Sequence, residues 1–266
     1  MATVEGLKTF LLLLWLPVWS LAQSSGQRLS APGALLDDHD LATPGTLTLT
    51  LGAFYGRVNA GFDRALPAAD LSLGLTRRLD LGVSGSLTKN RFETFGTTAL
   101  GDTYISARVL LIPEGNRRPA LTFEPVLEIL GRPSRANNVL APDKVNGVFG
   151  GIVGKSFDHF RIYDHSGYFT RGIFFTSAAV EFTSLFKRVT PVVYGTFGVL
   201  TDHRDAAAAL LNNVSQANLG ATLGFRISEN WSGYVSGGHG IGRRDQNTVD
   251  YQLGFGISRT FRLWEP

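Results

Sequence analysis

The segment from Val249 to Leu263 alternates by two almost without interruption. Val249, Tyr251, Leu253, Phe255, Ile257, Phe261 and Leu263 share one face, with Arg259 the single polar residue among them. Asp250, Gln252, Gly254, Gly256, Ser258, Thr260 and Arg262 share the other. A period of two belongs to the β-strand, whose successive side chains point to opposite faces. What the two faces are made of constrains the fold further. A barrel in water packs bulky apolar groups inside and turns polar ones outward. Glycine, serine, threonine and charge cannot fill such a core. The polar face is therefore the inner one, and the apolar face needs an apolar solvent around it. That solvent is lipid.

Composition and targeting agree. The chain has 266 residues with 44% hydrophobic, only 18% charged, 31 Gly and 18 Phe, which suits a membrane barrel better than a soluble enzyme. A net charge of +3 is too small to argue for nucleic acid as a partner. The absence of Cys excludes disulfides, thiol nucleophiles and thiolate metal sites. Residues 9–22 form an apolar run ending Ser20-Leu21-Ala22, a small-x-small cleavage pattern. That run is short of the roughly 20 residues a spanning helix needs. Residues 1–22 read as a secretory signal peptide, so any later membrane embedding must use strands.

Residues 23–45 are polar, aperiodic and rich in Pro and Gly, and read as a flexible periplasmic lead-in or plug. The barrel occupies 46–266. Clean alternation marks strands beginning at Thr46, Asp70 and Leu79, a noisier one over 103–112, and another over 119–130. The middle stretches 145–157, 159–165, 171–182 and 189–200 carry apolar groups on both parities, and 159–165 is the least regular. Strands over 218–227, 230–240 and 248–263 complete twelve, with ten as the alternative. Long gaps at 57–68, 89–101, 132–144, 201–213 and 241–247 follow odd strands, whereas short turns such as Arg77-Arg78 mostly follow even ones. Long external loops, short periplasmic turns and an even strand count characterise bacterial outer-membrane barrels.

The segments YGRVNAGFDRALPAADLSLGLTRRLDLGVSGSL and ANLGATLGFRISENWSGYVSGGHG, with the closing DYQLGFGISRTFRL, resemble Gram-negative outer-membrane β-barrel proteins. More narrowly they are similar to small transporter-like barrels of aromatic-compound degradation pathways. The resemblance covers most of 46–263 and implies insertion by a barrel-assembly machinery. The family's insertion signal ends on an aromatic residue, whereas this chain continues past Phe261 and Trp264 to Glu265 and Pro266.

Several motifs invite a chemical reading. Asp164-His165-Ser166-Gly167 raises the possibility of a lipid hydrolase, a lipid A deacylase or phospholipase using a His–Ser pair. Neighbours on a strand point to opposite faces, and the His-x-Ser-Asn run of those enzymes is missing, so a solvated turn is the favoured reading. Asp37, Asp38, His39 and Asp40 lack the ligand spacing of a Ca²⁺ loop and read as an acidic linker. Gly237–Gly242 lacks the Lys-Ser/Thr ending and following helix of a phosphate cradle. Asn213-Val214-Ser215 matches a glycosylation acceptor, which matters little in a bacterial outer membrane.

The charges assigned to the inner face are the main candidates. Arg108, Glu124, Glu128, Arg226, Asp250 and Arg262 are expected to line the lumen, with Lys155 and Glu181 as further members. Such groups either tune the selectivity of a water-filled path or pair across a closed one. Eight strands leave a packed interior and sixteen or more an aqueous channel, so twelve lies between. The expectation is an all-β, single antiparallel transmembrane β-barrel in the cell outer membrane. Outer-membrane lipid surrounds it, and it passes a small solute without catalysis, cofactor or metal. A lipid hydrolase and a closed structural or adhesive barrel are the alternatives.

Overall fold

The computed structural model describes residues 40–58, 61–92, 95–131, 144–170, 172–184, 186–201, 215–241 and 249–265. They form thirteen strands: β1 (Thr46–Val58), β2 (Gly61–Thr76), β3 (Leu79–Phe92), β4 (Phe95–Leu100), β5 (Thr103–Ile112), β6 (Ala120–Ile129), β7 (Val145–Ser156), β8 (Phe160–Phe169), β9 (Ile173–Phe182), β10 (Val189–Leu200), β11 (Ser215–Arg226), β12 (Trp231–Ile241) and β13 (Val249–Arg262). Twelve of them close a ring of antiparallel pairs. β1 bonds β2 on one side and β13 on the other, with Thr46 opposite Arg262. β4 stands outside the ring and pairs only with the outer end of β3, whose inner end pairs with β5.

The twelve expected strands are all present, with three local differences. The gap expected at 57–68 is largely strand, because β1 and β2 stay paired up to Val58 and Gly61. The gap at 89–101 contains the end of β3 and all of β4. The weakest stretch, expected to end at 165, is the full strand β8, joined to β9 by a tight turn around Gly172 at φ 88°. Residues 1–39, and almost all of the loops expected at 132–144, 201–213 and 241–247, lie outside the described residues.

The faces are arranged as the alternation requires. Leu51, Phe149, Val193, Leu223, Leu253 and Phe255 are exposed on the outer wall. Thr50, Ser72, Thr122, Ser232 and Ser258 are buried inside. β8 and β9 look apolar on both parities because their inner wall is itself partly apolar. Phe169 and Phe175 pack there with Val148, and Tyr163 with Ala179, Val192 and Tyr194.

Large rings fit a narrow barrel by lying flat on glycine. Tyr234 stands opposite Gly256, where a Cβ would come within 2.5 Å of the ring. Phe175 covers Gly167 opposite it, and Tyr194 lies over Gly220 in the same way. On the outer face Phe225 covers Gly233. Each ring shields a backbone without a side chain of its own and registers two strands at once.

One rim carries the short turns and both ends of the barrel. Leu263 N–H donates to Gly45 O at 2.8 Å, which seats the C-terminal end against the start of β1. By the usual placement of short turns this is the periplasmic rim. There Glu114 accepts bonds from Lys155 Nζ, Ser156 N and Ser156 Oγ, each at 2.9 Å. Burial alone would raise its carboxyl, but the Ser156 N–H, the Lys155 ammonium and the Ser156 hydroxyl hold it down at about 2.

Two outcomes follow. Gly220→Val forces a branched side chain into the Tyr194 ring and should cost about 1–3 kcal/mol, read by urea unfolding of the vesicle-embedded protein. The stabilisation from Glu114 is fully present above its ordinary value of 4.5 and is lost as pH falls through about 2. Glu114→Gln should therefore flatten the acid limb of the stability profile, measured as unfolding midpoint against pH.

Candidate functional site

The candidate site is the lumen, whose wall divides into two unlike sectors. From β3 round to β9 it carries charge. Asp80 stands opposite Arg108, both with fully buried side chains. Arg108 Nε donates to Asp80 Oδ1 at 3.0 Å and Nη2 to Oδ2. Glu124 Oε2 lies 3.4 Å from His165 Nε2, reaching across Gly150 of the intervening strand. Arg161 stands opposite Glu181, with Nη1 3.6 Å from Oε1. Glu128 is fully buried opposite Asn146. A buried ion is tolerable only where partners replace its water, so these charges belong to the wall's own bonding.

From β10 to β13 the wall is mostly hydroxyl and amide, and it changes along its height. In the periplasmic half Thr222, Ser232, Tyr234, Ser236 and Ser258 are buried. In the external half Thr196, Asn218, Gly238, Gln252 and Asp250 are only half-buried. Asn218 Nδ2 donates to Thr196 Oγ1 at 3.2 Å and Gln252 Nε2 to Tyr194 Oη at 3.3 Å. These half-buried polar groups form the external half of the inner wall, next to the Tyr194 and Tyr234 rings.

At the periplasmic end the chain ahead of β1 crosses the barrel. Asp40 Oδ2 lies 2.6 Å from Arg161 Nη2 on β8. Two residues later Ala42 N–H donates to Asp80 Oδ2 at 2.8 Å on β3. Gly45 N–H then donates to Gly74 O at 2.9 Å on β2. Residues 40–45 thus form a strap from β8 to β2, held by the same carboxylate and guanidinium that close the wall pairs. Gly45 takes φ 76° and lies under the Trp264 carbonyl, a position a side chain could not share.

The expected lining residues scatter along this arrangement. Arg108, Glu124, Glu128 and Glu181 are on the inner wall, all buried. Arg226 is on the inner parity at the periplasmic end and Asp250 at the external end, 3.9 Å from His239. Arg262 is mostly exposed at the periplasmic rim, 3.6 Å from Glu265. Lys155 is not in the lumen: it shares the outer parity of Phe149 and Val153, and its ammonium binds Glu114 and Gly115 O in the turn. Asp80, Arg161 and Asp40 were not foreseen as site residues. Asp80 had the right parity beside a tight turn, whereas Arg161 lay in the stretch of weakest alternation.

His165 is not in a solvated turn. It is buried in mid-strand on the inner face, edge-on to Phe175 at 5.1 Å between ring centroids. Ser166 points the opposite way, to the outer wall. There its Oγ donates to Asp164 Oδ2 at 2.7 Å, and Thr176 Oγ1 donates to Asp164 Oδ1 at 3.0 Å. The outward histidine, His239, has a carboxylate near it, but neither histidine stands at the outer rim beside a serine. Among the described residues no group of three or more His, Asp or Glu could hold a metal ion.

The Asp80–Arg108 pair gives a direct test. Asp80→Ala leaves a buried guanidinium short of its carboxylate and should cost about 3–5 kcal/mol in urea unfolding. Replacing both residues by Leu should recover most of that loss.

No protein-family model matches the chain, and no curated protein matches it in sequence. Its structure is similar to the COG4313 outer membrane channel from Pseudomonas putida F1, at TM-score 0.63 and 10% identity, covering 87% of this chain and 100% of that one. It is also similar to the NanC porin, at TM-score 0.56 and 9% identity, covering 79% and 98%. The KdgM porin, solved in complex with disordered oligogalacturonate, matches at TM-score 0.52 and 11% identity, covering 80% and 99%. The chain therefore has the fold of the outer-membrane channel and porin barrels.

Proposed function

We propose that this barrel passes a small polar solute across the outer membrane and that the strap of residues 40–45 controls the periplasmic exit. The observation that carries the reading is the half-buried polar wall of Thr196, Asn218 and Gln252 in the external half, together with the strap that crosses the periplasmic end from β8 to β2. Hydroxyl and amide groups exchange bonds with water and with a solute's hydroxyls at little net cost. That wall suits a polyhydroxylated solute better than an apolar one, and the likeness to a porin solved with oligogalacturonate supports the choice. The charges of the opposite sector are engaged in wall contacts and act on the solute through their field. Passage requires the strap to leave Arg161 and Asp80, which replaces its contacts there by water.

The lipid-hydrolase reading has less support, because His165 and Ser166 face opposite sides of the wall. The channel folds it resembles also belong to non-enzymes.

Single-channel recording in a planar bilayer tests the proposal. The native protein should give discrete openings. Asp40→Asn, which weakens the Arg161 anchor, should raise open probability and make it less sensitive to salt. The pair Arg108→Ala, Arg226→Ala should shift ion preference towards cations. A folded, heat-modifiable protein that never conducts in any of these forms overturns the reading.

A further inference from the structure

Arg259 has no part in the lumen. It sits on the outer parity of β13, between exposed Ile257 and half-buried Phe261, on the wall that faces lipid. A cation there is costly at mid-membrane and far less so near the interface. Arg259 lies at the periplasmic end of β13, directly opposite Trp231, the first residue of β12. Its guanidinium carbon is 5.1 Å from the Trp231 ring centroid and 4.8 Å from that of Phe261. Two aromatic faces thus fix the plane of the guanidinium. No carboxylate among the described residues forms an ion pair with it. Stacking occupies the faces of a guanidinium and leaves its N–H edge, the geometry that grips a phosphate with two parallel bonds.

The surroundings extend the site. Along the rim, Arg77 and Arg78 in the β2–β3 turn lie two strands to one side of β13, and Lys187 and Arg188 before β10 lie three strands to the other, all exposed. Exposed Trp264, beside the end of β13, and exposed Phe186, in the β9–β10 turn, lie along the same rim. An aromatic belt marks the level of lipid headgroups, and a cluster of basic residues at that level attracts anionic ones.

We infer that Arg259, held between Trp231 and Phe261, is a binding site for the phosphate of an anionic phospholipid in the periplasmic leaflet, with Arg77, Arg78, Lys187 and Arg188 adding positive charge farther along the rim. The site lies outside the lumen and works whether or not the barrel conducts. Its acyl chains would lie along the outer wall beside Ile257 and Phe255, which are exposed below Arg259 on the same strand.

The test uses protein extracted from outer membranes and titrated in detergent with phosphatidylglycerol or with phosphatidylcholine of the same acyl chains, bound lipid being read by native mass spectrometry. The native protein should prefer phosphatidylglycerol. Arg259→Gln should weaken that preference about fivefold, the equivalent of about 1 kcal/mol for one interfacial cation. Arg259→Lys, which keeps the charge but loses the planar edge, should fall between the two. Equal binding of both lipids by the native protein, or an unchanged preference in Arg259→Gln, overturns the inference. Should Arg259→Gln fail to reach the membrane, the native protein still decides. A preference that does not decline as salt is raised is not a phosphate–guanidinium contact.

Discussion

In hydrocarbon no water is available to a backbone amide, so a strand can cross only if both its edges are bonded. That constraint makes the pairing of β1 with β13 the condition for everything else. Thirteen register pairs, from Thr46 opposite Arg262 to Val58 opposite Val249, join the two ends of the chain's strand order. Once the ring closes, the apolar face has to be the outer one, and the inner wall is free to hold groups that would be ruinous in a water-soluble core. The inner Asp80, Arg108, Glu124 and Glu128 are tolerated for that reason.

The economy of the interior follows from the same closure. Twelve strands enclose limited space, and a tyrosine pointing straight inward would obstruct it. Opposing each of Tyr194 and Tyr234 with a glycine lets the ring lie along the wall. The glycines thus shape the lumen, and the abundance of that residue in the composition has a positional meaning. The charged sector shows the contrasting solution, in which side chains satisfy one another and fill the space between β3 and β9.

Much of this was legible in the alternation. β13 displays both faces without ambiguity, and Thr, Ser and Gly at the even positions of β1, β2 and β3 identify the inner wall before any coordinates. β8 was less legible because Tyr163, Phe169 and Phe175 make part of the interior apolar, which erases the contrast that parity depends on. The parity of Arg108 could be read, but its partner could not. Asp80 meets it only because β4 turns back outside the ring and leaves the inner half of β3 to β5. Lys155 was misplaced for a related reason: β7 carries apolar groups on both parities, so the sequence did not show that Lys155 shares the outer face with Phe149 and Val153.

The strap and the closing seam share a covalent neighbour, since Gly45 is bonded to β2 and to the chain end at Leu263 immediately before β1 begins. This arrangement gives the molecule a mechanical order. Tension applied ahead of residue 40 loads the Asp40–Arg161 contact first and the Ala42–Asp80 contact next. Only after both yield does force reach the many parallel bonds of the seam, which are loaded together and resist as a block. The strap can thus be pulled from its anchors while the barrel stays closed against the lipid.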